Sequence, residues 1–362
     1  MTCTDFLVKK TEFTTSNVYE SPLPEILADN QVLLKIDKFA FTANNVGYAV
    51  SGEFIGYWKL FPTQDDSWGR IPVWGFADVI KSNNPDIKEG ERFYGFYPMS
   101  SHLIVDAGKV SEGGFMDVVE HRQNLPPLYN QYSKVVSGSE DAALEDERMI
   151  LYPLFATGFV LQDFLDDHDY FDADTIIVGS ASSKTGIGLG QMLNRYSKGK
   201  VKALGLTSKR NKEFVENLGC YDSVVTYDEI NSIPTDKRYA YIDMSGDSGV
   251  MSDLHHHLKD QLQCTFVVGA THWDKSDVTS EKEALPGPKP KFFFAPAHIG
   301  KRVEEWGAEE FERKGYNYWK ELAGDSSWLN VVEGKGKTEV ESWYKNFLKG
   351  GVPASTGISL SL

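Results

Sequence analysis

Cysteine is scarce in this chain: Cys3, Cys220 and Cys264 lie far apart, are odd in number and show no CxxC spacing. Such a set excludes a disulfide framework and a structural zinc lobe, and it fits a reducing compartment. Long apolar runs are missing too, since Thr265 to Ala270 and Phe292 to Ala297 fall far short of the ~20 residues a spanning helix needs. The first fifteen residues lack the apolar core of a secretion signal, and Leu360-Ser361-Leu362 is not the peroxisomal Ser-Lys-Leu address, so a cytoplasmic protein is expected. Positive charge is in deficit: 37 Lys and Arg against 52 Asp and Glu leave a net charge of -15, which argues against nucleic acid or an anionic membrane as partner. What is present is a globular composition, 41% hydrophobic and 13% aromatic in 362 residues, enough for two domains at about 150 residues each.

Two textures divide the chain. From Gln31 to Asp117, short β-rich runs such as Val32-Leu33-Leu34-Lys35-Ile36, Val73-Trp74-Gly75-Phe76 and Arg92-Phe93-Tyr94-Gly95-Phe96 are separated by Gly, Pro and Asn. That spacing predicts a compact antiparallel barrel or sandwich. After a polar stretch and a buried helix over Leu151 to Leu165, strand and helix alternate from Asp174, the pattern of a parallel sheet flanked by helices. Strands are expected at Thr175 to Val178, Val201 to Leu206, Ser223 to Thr226, Tyr239 to Asp243 and Cys264 to Val268. The expected fold is therefore α/β, with a barrel lobe over 1–148 completed by 303–362 and a doubly wound parallel-sheet domain over 149–302.

The first parallel strand runs into Gly179-Ser180-Ala181-Ser182-Ser183-Lys184-Thr185-Gly186-Ile187-Gly188 and then a helix. Backbone N–H groups and the helix dipole at such a turn can receive a diphosphate. The spacing is neither GxGxxG nor a full P-loop, and a glycine-rich turn serving only helix packing is the plain alternative. The second strand ends in Thr207-Ser208-Lys209-Arg210, where an NAD binder would carry an acid for the ribose 2′-hydroxyl. Hydroxyls and cations there suit a 2′-phosphate and favour NADP(H). Solvated residues in a first helical turn are the alternative, although cations at that position oppose the dipole. His255-His256-His257 reads as a solvated helix face, and no metal site is expected.

The order of these parts resembles the zinc-independent medium-chain dehydrogenase/reductase superfamily, in its quinone oxidoreductase and enoyl reductase branch. Ile87-Lys88-Glu89-Gly90-Glu91-Arg92-Phe93, Leu218 to Tyr227 and Tyr241-Ile242-Asp243-Met244-Ser245-Gly246 are similar to three of its segments. Trp74-Gly75-Phe76-Ala77 and Tyr97-Pro98-Met99-Ser100 resemble a divergent subgroup, DUF2855. The resemblance implies a GroES-like barrel lobe, a Rossmann lobe, NADP(H) as cofactor, a small-molecule substrate and a possible homodimer through the Rossmann sheet edge, for which Thr265 to Val268 is the candidate run, with plain sheet core as its alternative. It also implies cofactor contacts from Thr157, Ser182, Ser183, Lys184, Thr185, Gly186, Ile187, Ser208, Lys209, Arg210, Tyr227, Asp243, Gly269, Ala270 and Phe294. For Thr157 a bond to its own helix backbone is the alternative.

Asn44 to Gly52 is similar to the family's "FxDxYxxxG" loop, with Tyr48 on its tyrosine and Val46 in place of its acid. A phenol there can donate a proton, Asn45 can orient substrate or water, and Tyr57 is the second candidate acid. The alternative for Tyr48 is an aromatic packed in the barrel wall. Three functions follow: an NADPH-dependent, zinc-free reductase of an enone, enal, quinone, enoyl thioester or ketone; an NADP(H) binder or redox sensor without turnover; and a metal-dependent alcohol dehydrogenase, disfavoured because no cysteine occurs between Thr4 and Gly219.

Overall fold

The computed structural model describes residues 1–268 and 285–362, which divide into two compact units, Met1–Ile150 with Leu329–Leu362 and Leu151–Trp328. Gly269 and Ala270 of the expected cofactor set lie outside the described residues.

The first unit begins with a hairpin of β1 (Thr2–Lys9) and β2 (Glu12–Pro22), where the sequence reading assigned no strand. The polar run Thr14-Thr15-Ser16-Asn17 hid it: β2 is mostly exposed, while Phe6, Leu7 and Val8 of β1 are buried. Then come β3 (Gln31–Phe41), α1 (Ala43–Val50), α2 (Gly52–Ile55), β4 (Trp68–Gly69) and β5 (Pro72–Ser82). They are followed by β6 (Arg92–Pro98), β7 (His102–Ser111), β8 (Gly114–Asp117) and β9 (Gln131–Val135). Strand β4 pairs with β1; the others follow the order β3-β5-β6-β9-β8-β7, and β7 pairs back onto β3. That return closes a barrel and removes its open edges. One face of its sheet is aromatic, with the buried rings of Phe93, Tyr97, Phe115 and Tyr132 packed on one another.

A short α3 (Glu140–Ala143) leads into α4 (Glu145–Asp167), which carries the chain into the second unit. There β10 (Thr175–Gly179), α5 (Lys184–Tyr196), β11 (Lys202–Thr207), α6 (Lys212–Asn217) and β12 (Ser223–Thr226) alternate. They are succeeded by β13 (Tyr239–Asp243), α7 (Ser248–Leu258), β14 (Leu262–Val267) and β15 (Lys291–Phe292). All pairings are parallel, in the order β12-β11-β10-β13-β14-β15. This is the 3-2-1-4-5-6 order of dinucleotide-binding sheets, whose direction of winding reverses between the first and fourth strands. The five residues of β10 are all buried, as a strand covered on both faces requires.

Two readings are settled by the pairing and packing. Of edge or core for the run Thr265 to Val268, core is what the strands support: β14 has β13 on one side and β15 on the other, and β15 is the outermost strand there among the described residues. Residues 303–328 were assigned to the barrel lobe, yet α8 (Ala295–Trp306) and α9 (Ala308–Gly324) belong to the second unit. Aromatic contacts explain it: Trp319 packs on Tyr152 and Phe155 of α4, and Phe159 meets Phe311 and Tyr318. Asp163 of the same helix is bound by His298 and Arg302, both at 2.6 Å. The chain then re-enters the first unit through β16 (Asn330–Lys335), α10 (Lys337–Leu348) and β17 (Thr356–Ser361). The tail returns to the barrel sheet as β17, which pairs antiparallel with β3. Among the described residues no helix is long and apolar enough to cross a membrane.

Candidate cofactor and active site

The turn after β10 stands where the parallel sheet reverses its winding, so its backbone faces the crevice at the carboxyl ends of the strands. Ser180 takes a left-handed conformation (φ 53°), unusual for a residue with a side chain, and Ser183 caps α5 by accepting the Gly186 N–H at 3.1 Å. Gly186 is required by close approach: a Cβ there would stand 2.7 Å from the Ser180 carbonyl oxygen. The Tyr221 hydroxyl pins the turn from below by donating to the Gly186 carbonyl at 2.6 Å. A similar need brings α4 against α5, where a Cβ on Gly158 would come 2.7 Å from the Gly188 carbonyl carbon. The glycines of this turn therefore serve packing as well as any ligand.

Ser182, Ser183, Lys184, Thr185, Gly186 and Ile187 run continuously from turn to first helical turn, with Ser183, Lys184 and Thr185 partly exposed, Ser182 and Gly186 buried, and Ile187 turned wholly into the core, away from any cofactor. The first helical turn of any α-helix presents N–H donors that the helix cannot satisfy itself. Lys184 is half-buried, and burial of its amine pushes its pKa down to about 8. The Ser182 hydroxyl accepts from Asn211 Nδ2 at 2.9 Å and Thr207 Oγ1 at 3.3 Å, joining this turn to the end of β11. Ser208, next along, holds its Oγ out of solvent with no hydrogen-bond partner among the described residues. Lys209 and Arg210 beside it are exposed. Donor-rich backbone, an unmet buried hydroxyl and two cations make a site whose chemistry fits an anion with several oxygens.

Other expected cofactor residues divide. The half-buried Tyr227 faces Ser180; burial, with Asp243 and Asp247 nearby, pushes its phenol up to about 12. Asp243 is turned inward: it is fully buried and accepts from Tyr241 Oη at 3.0 Å, Ser245 N at 2.8 Å and Ser245 Oγ at 2.6 Å. Its carboxylate shapes the loop after β13. Thr157 donates to the Pro153 carbonyl one turn earlier at 3.1 Å, so its hydroxyl is engaged by its own helix. Phe294 is 45% exposed at the start of α8. The histidine triplet is a solvated face only in part: His256 is exposed and His257 half-buried, but His255 is fully buried between the Pro286 carbonyl (2.9 Å) and Thr265 Oγ1 (3.0 Å). Among the described residues no group of three or more His, Cys, Asp and Glu is arranged for a metal ion. A groove of about 800 Å³ lined by Tyr227, Asp228, Asp253, His256 and Lys259 shares only Tyr227 with the candidate cofactor residues.

In the first unit, α1 brings Tyr48 into an aromatic cluster. Its ring lies 4.5 Å from that of Tyr57 and 5.7 Å from Phe96, while Phe96 stacks on Tyr129 at 4.8 Å and Trp74 packs on Phe96 at 4.8 Å. Trp74 also stacks on Tyr94. Tyr48 and Tyr57 are both buried, and the hydroxyls of Tyr57 and Tyr129 share a hydrogen bond at 2.9 Å. Burial above all, then the neighbouring Tyr129, holds the Tyr48 phenol well above the ordinary range; the polar groups of Trp74 and Asn44 nearby act in the opposite direction. Burial likewise raises Tyr57. Asn45 is committed elsewhere: its Oδ1 accepts from Thr42 N at 2.7 Å and its Nδ2 donates to the Pro72 carbonyl at 2.9 Å, a cap that starts α1. The polar neighbour of Tyr48 is Asn44, one residue earlier. Trp74 and Tyr129 were not singled out from sequence for this cluster; the only signal was the density of aromatics between Tyr57 and Trp74.

No curated protein matches the chain in sequence. Among solved structures, CurA from Vibrio vulnificus in complex with NADPH superposes with a TM-score of 0.63 at 13% identity, covering 96% of this chain and 94% of that one. A mutant form of the enoyl thioester reductase from Candida tropicalis gives 0.58 at 12% identity, with all of both chains covered. The quinone oxidoreductase from Coxiella burnetii gives 0.54 at 15% identity, again over both whole chains. At such identities the likeness is one of fold, and it agrees with the barrel and parallel-sheet units described above. A match over residues 39–353 places the chain in a family of its own within that fold: it belongs to the family described as protein of unknown function (DUF2855).

Proposed function

We propose that the protein is an NADPH-dependent reductase of an activated double bond or carbonyl, its parallel-sheet unit holding NADP(H) and Tyr48 giving the proton. The observation that carries this reading is the 3-2-1-4-5-6 sheet with the Ser180–Gly186 turn at its reversal point. Ser208, Lys209 and Arg210 at the end of β11 support NADP(H) over NAD(H), because a 2′-phosphate offers acceptors to a buried hydroxyl and two cations. Structures of the same fold carry NADPH, and their names include an enoyl thioester reductase and a quinone oxidoreductase.

NADPH, when bound, supplies a hydride to an electrophilic carbon. The chain's own residues then have three tasks. The turn and α5 hold the diphosphate through backbone donors and the helix dipole. Ser208, Lys209 and Arg210 select the extra phosphate. Tyr48 donates a hydrogen bond to the substrate oxygen and passes its proton to the group that has gained the hydride's electron pair. Burial keeps that phenol protonated until a strong base forms beside it. The substrate class is a small enone, enal, quinone or enoyl thioester.

The bonds already made by Asn45 and Tyr57 favour a second reading, an NADP(H) binder without turnover. One experiment separates the two: purified protein with NADPH and a panel of enones, enals, quinones and enoyl thioesters, followed by the absorbance of the reduced nicotinamide. Oxidation with any panel member supports the reductase. Saturable binding without oxidation supports the binder, and no binding at all contradicts both.

A further inference from the structure

We propose that Trp74 is a positioning residue whose indole N–H, unmet in the resting protein, bonds the Tyr48 oxygen when Tyr48 gives up its proton and stabilises the phenolate left behind. The inference rests on the reading of Tyr48 as proton donor. Trp74 is only 9% exposed, and its Nε1 is shut off from solvent with no hydrogen-bond partner among the described residues. An indole nitrogen can only donate, and leaving a buried donor unmet costs about 1 to 3 kcal/mol. Such orphans are rare in folded proteins.

The ring itself is fixed. It stacks on Tyr94 at 5.4 Å and 16° and leans on Phe96, so the N–H direction is set by aromatic packing rather than by a bond of its own. Tyr48 packs on the same ring, Phe96, at 5.7 Å, so the indole N–H bears on the Tyr48 hydroxyl, with the Asn44 side chain as the second polar neighbour. Titratable groups against Tyr48 are Tyr57 and Tyr129, which are themselves hydrogen-bonded to each other. In the proton transfer the O–H bond of Tyr48 breaks and its proton bonds to the substrate atom holding the new electron pair. Negative charge passes from substrate to Oη, and a proton from water later restores the phenol. A donor that is unmet in the resting state and bonded in the charged one favours that transfer, as a preorganised oxyanion site does.

The test reads the phenol directly. A fluorinated tyrosine placed at position 48, acidic enough to titrate in the stable pH range, is followed by its ultraviolet absorbance in the free protein. It is measured with Trp74 intact, with Trp74→Phe, and with benzothienylalanine at 74, which keeps the indole shape and lacks the N–H. Loss of the N–H raises the titration midpoint by about one pH unit, a tenfold change in ionisation. If Trp74→Phe fails to fold, the benzothienyl protein decides. An unchanged midpoint in a folded variant overturns the proposal. In turnover, Trp74→Phe lowers kcat about tenfold with KM unchanged and adds nothing to Tyr48→Phe. Should Tyr48→Phe turn over as the wild type does, the donor role of Tyr48 fails, while the titration still reports whether Trp74 holds its oxygen.

Discussion

The serine-rich turn of the second unit and the tyrosine cluster of the first solve opposite electrostatic problems. The turn gathers donors and leaves Lys209 and Arg210 exposed, so an incoming anion meets charge that is already in water. The cluster buries neutral phenols among rings, where Tyr48 and Tyr57 hold their protons far more tightly than in water. The difference separates binding from chemistry. Affinity for a cofactor is built from many modest, screened contacts, whereas burial of a phenol that water already keeps protonated sets how strong a base is needed to take its proton.

The largest expected effect breaks the turn. Gly186→Val puts a Cβ against the Ser180 carbonyl and forces the turn off the helix, so NADPH affinity falls more than about 100-fold by calorimetric titration, a loss of about 3 kcal/mol. Circular dichroism of that variant keeps a barrel signal from the first unit. Next, Tyr48→Phe tests the cluster: kcat drops about 100-fold, the low end of general acid effects, and the NADPH dissociation constant stays unchanged. An equal loss in both quantities would merge the two roles that the comparison separates.

A smaller effect sharpens the cofactor side. Lys209→Glu with Arg210→Glu weakens NADPH about 10- to 30-fold, the worth of one charge-assisted hydrogen bond, and leaves NADH unaffected. The smallest concerns Lys184. Its folded amine titrates near 8 and an unfolded lysine near ~10.4, so between these values the unfolded chain holds more protons and stability rises with pH. Lys184→Met removes that rise between about pH 8 and 10 and lifts the melting temperature near pH 7 by ~2 °C, measured by differential scanning fluorimetry.

Much of the second unit was legible because its signals are local. Apolar runs such as Ile176-Ile177-Val178 mark strands buried on both faces, and the stop at Gly219 (φ 65°) ends α6 as a left-handed residue does. The turn was found for the same reason, since a glycine-rich stretch between strand and helix is contiguous. The cluster in the first unit was harder. Tyr48 came from a family resemblance, but whether Asn44 or Asn45 accompanies it depends on which side of a single helical turn faces inward. Capping of α1 took Asn45. Trp74 and Tyr129 reach Tyr48 from β5 and from the segment before β9, and no spacing rule brings residues so distant in sequence together. His255 was misjudged because consecutive histidines look polar, although a pair of specific bonds satisfies one of them in the core.

The most direct measurement titrates the intact protein with NADPH and NADH side by side, following the fluorescence of the reduced nicotinamide. Saturation by NADPH, with NADH at least about tenfold weaker, is the result expected of a diphosphate held on α5 and a 2′-phosphate held at Ser208, Lys209 and Arg210. No saturation with either nucleotide would contradict the account at its root, and equal affinity for both would remove the phosphate-selecting role of the end of β11.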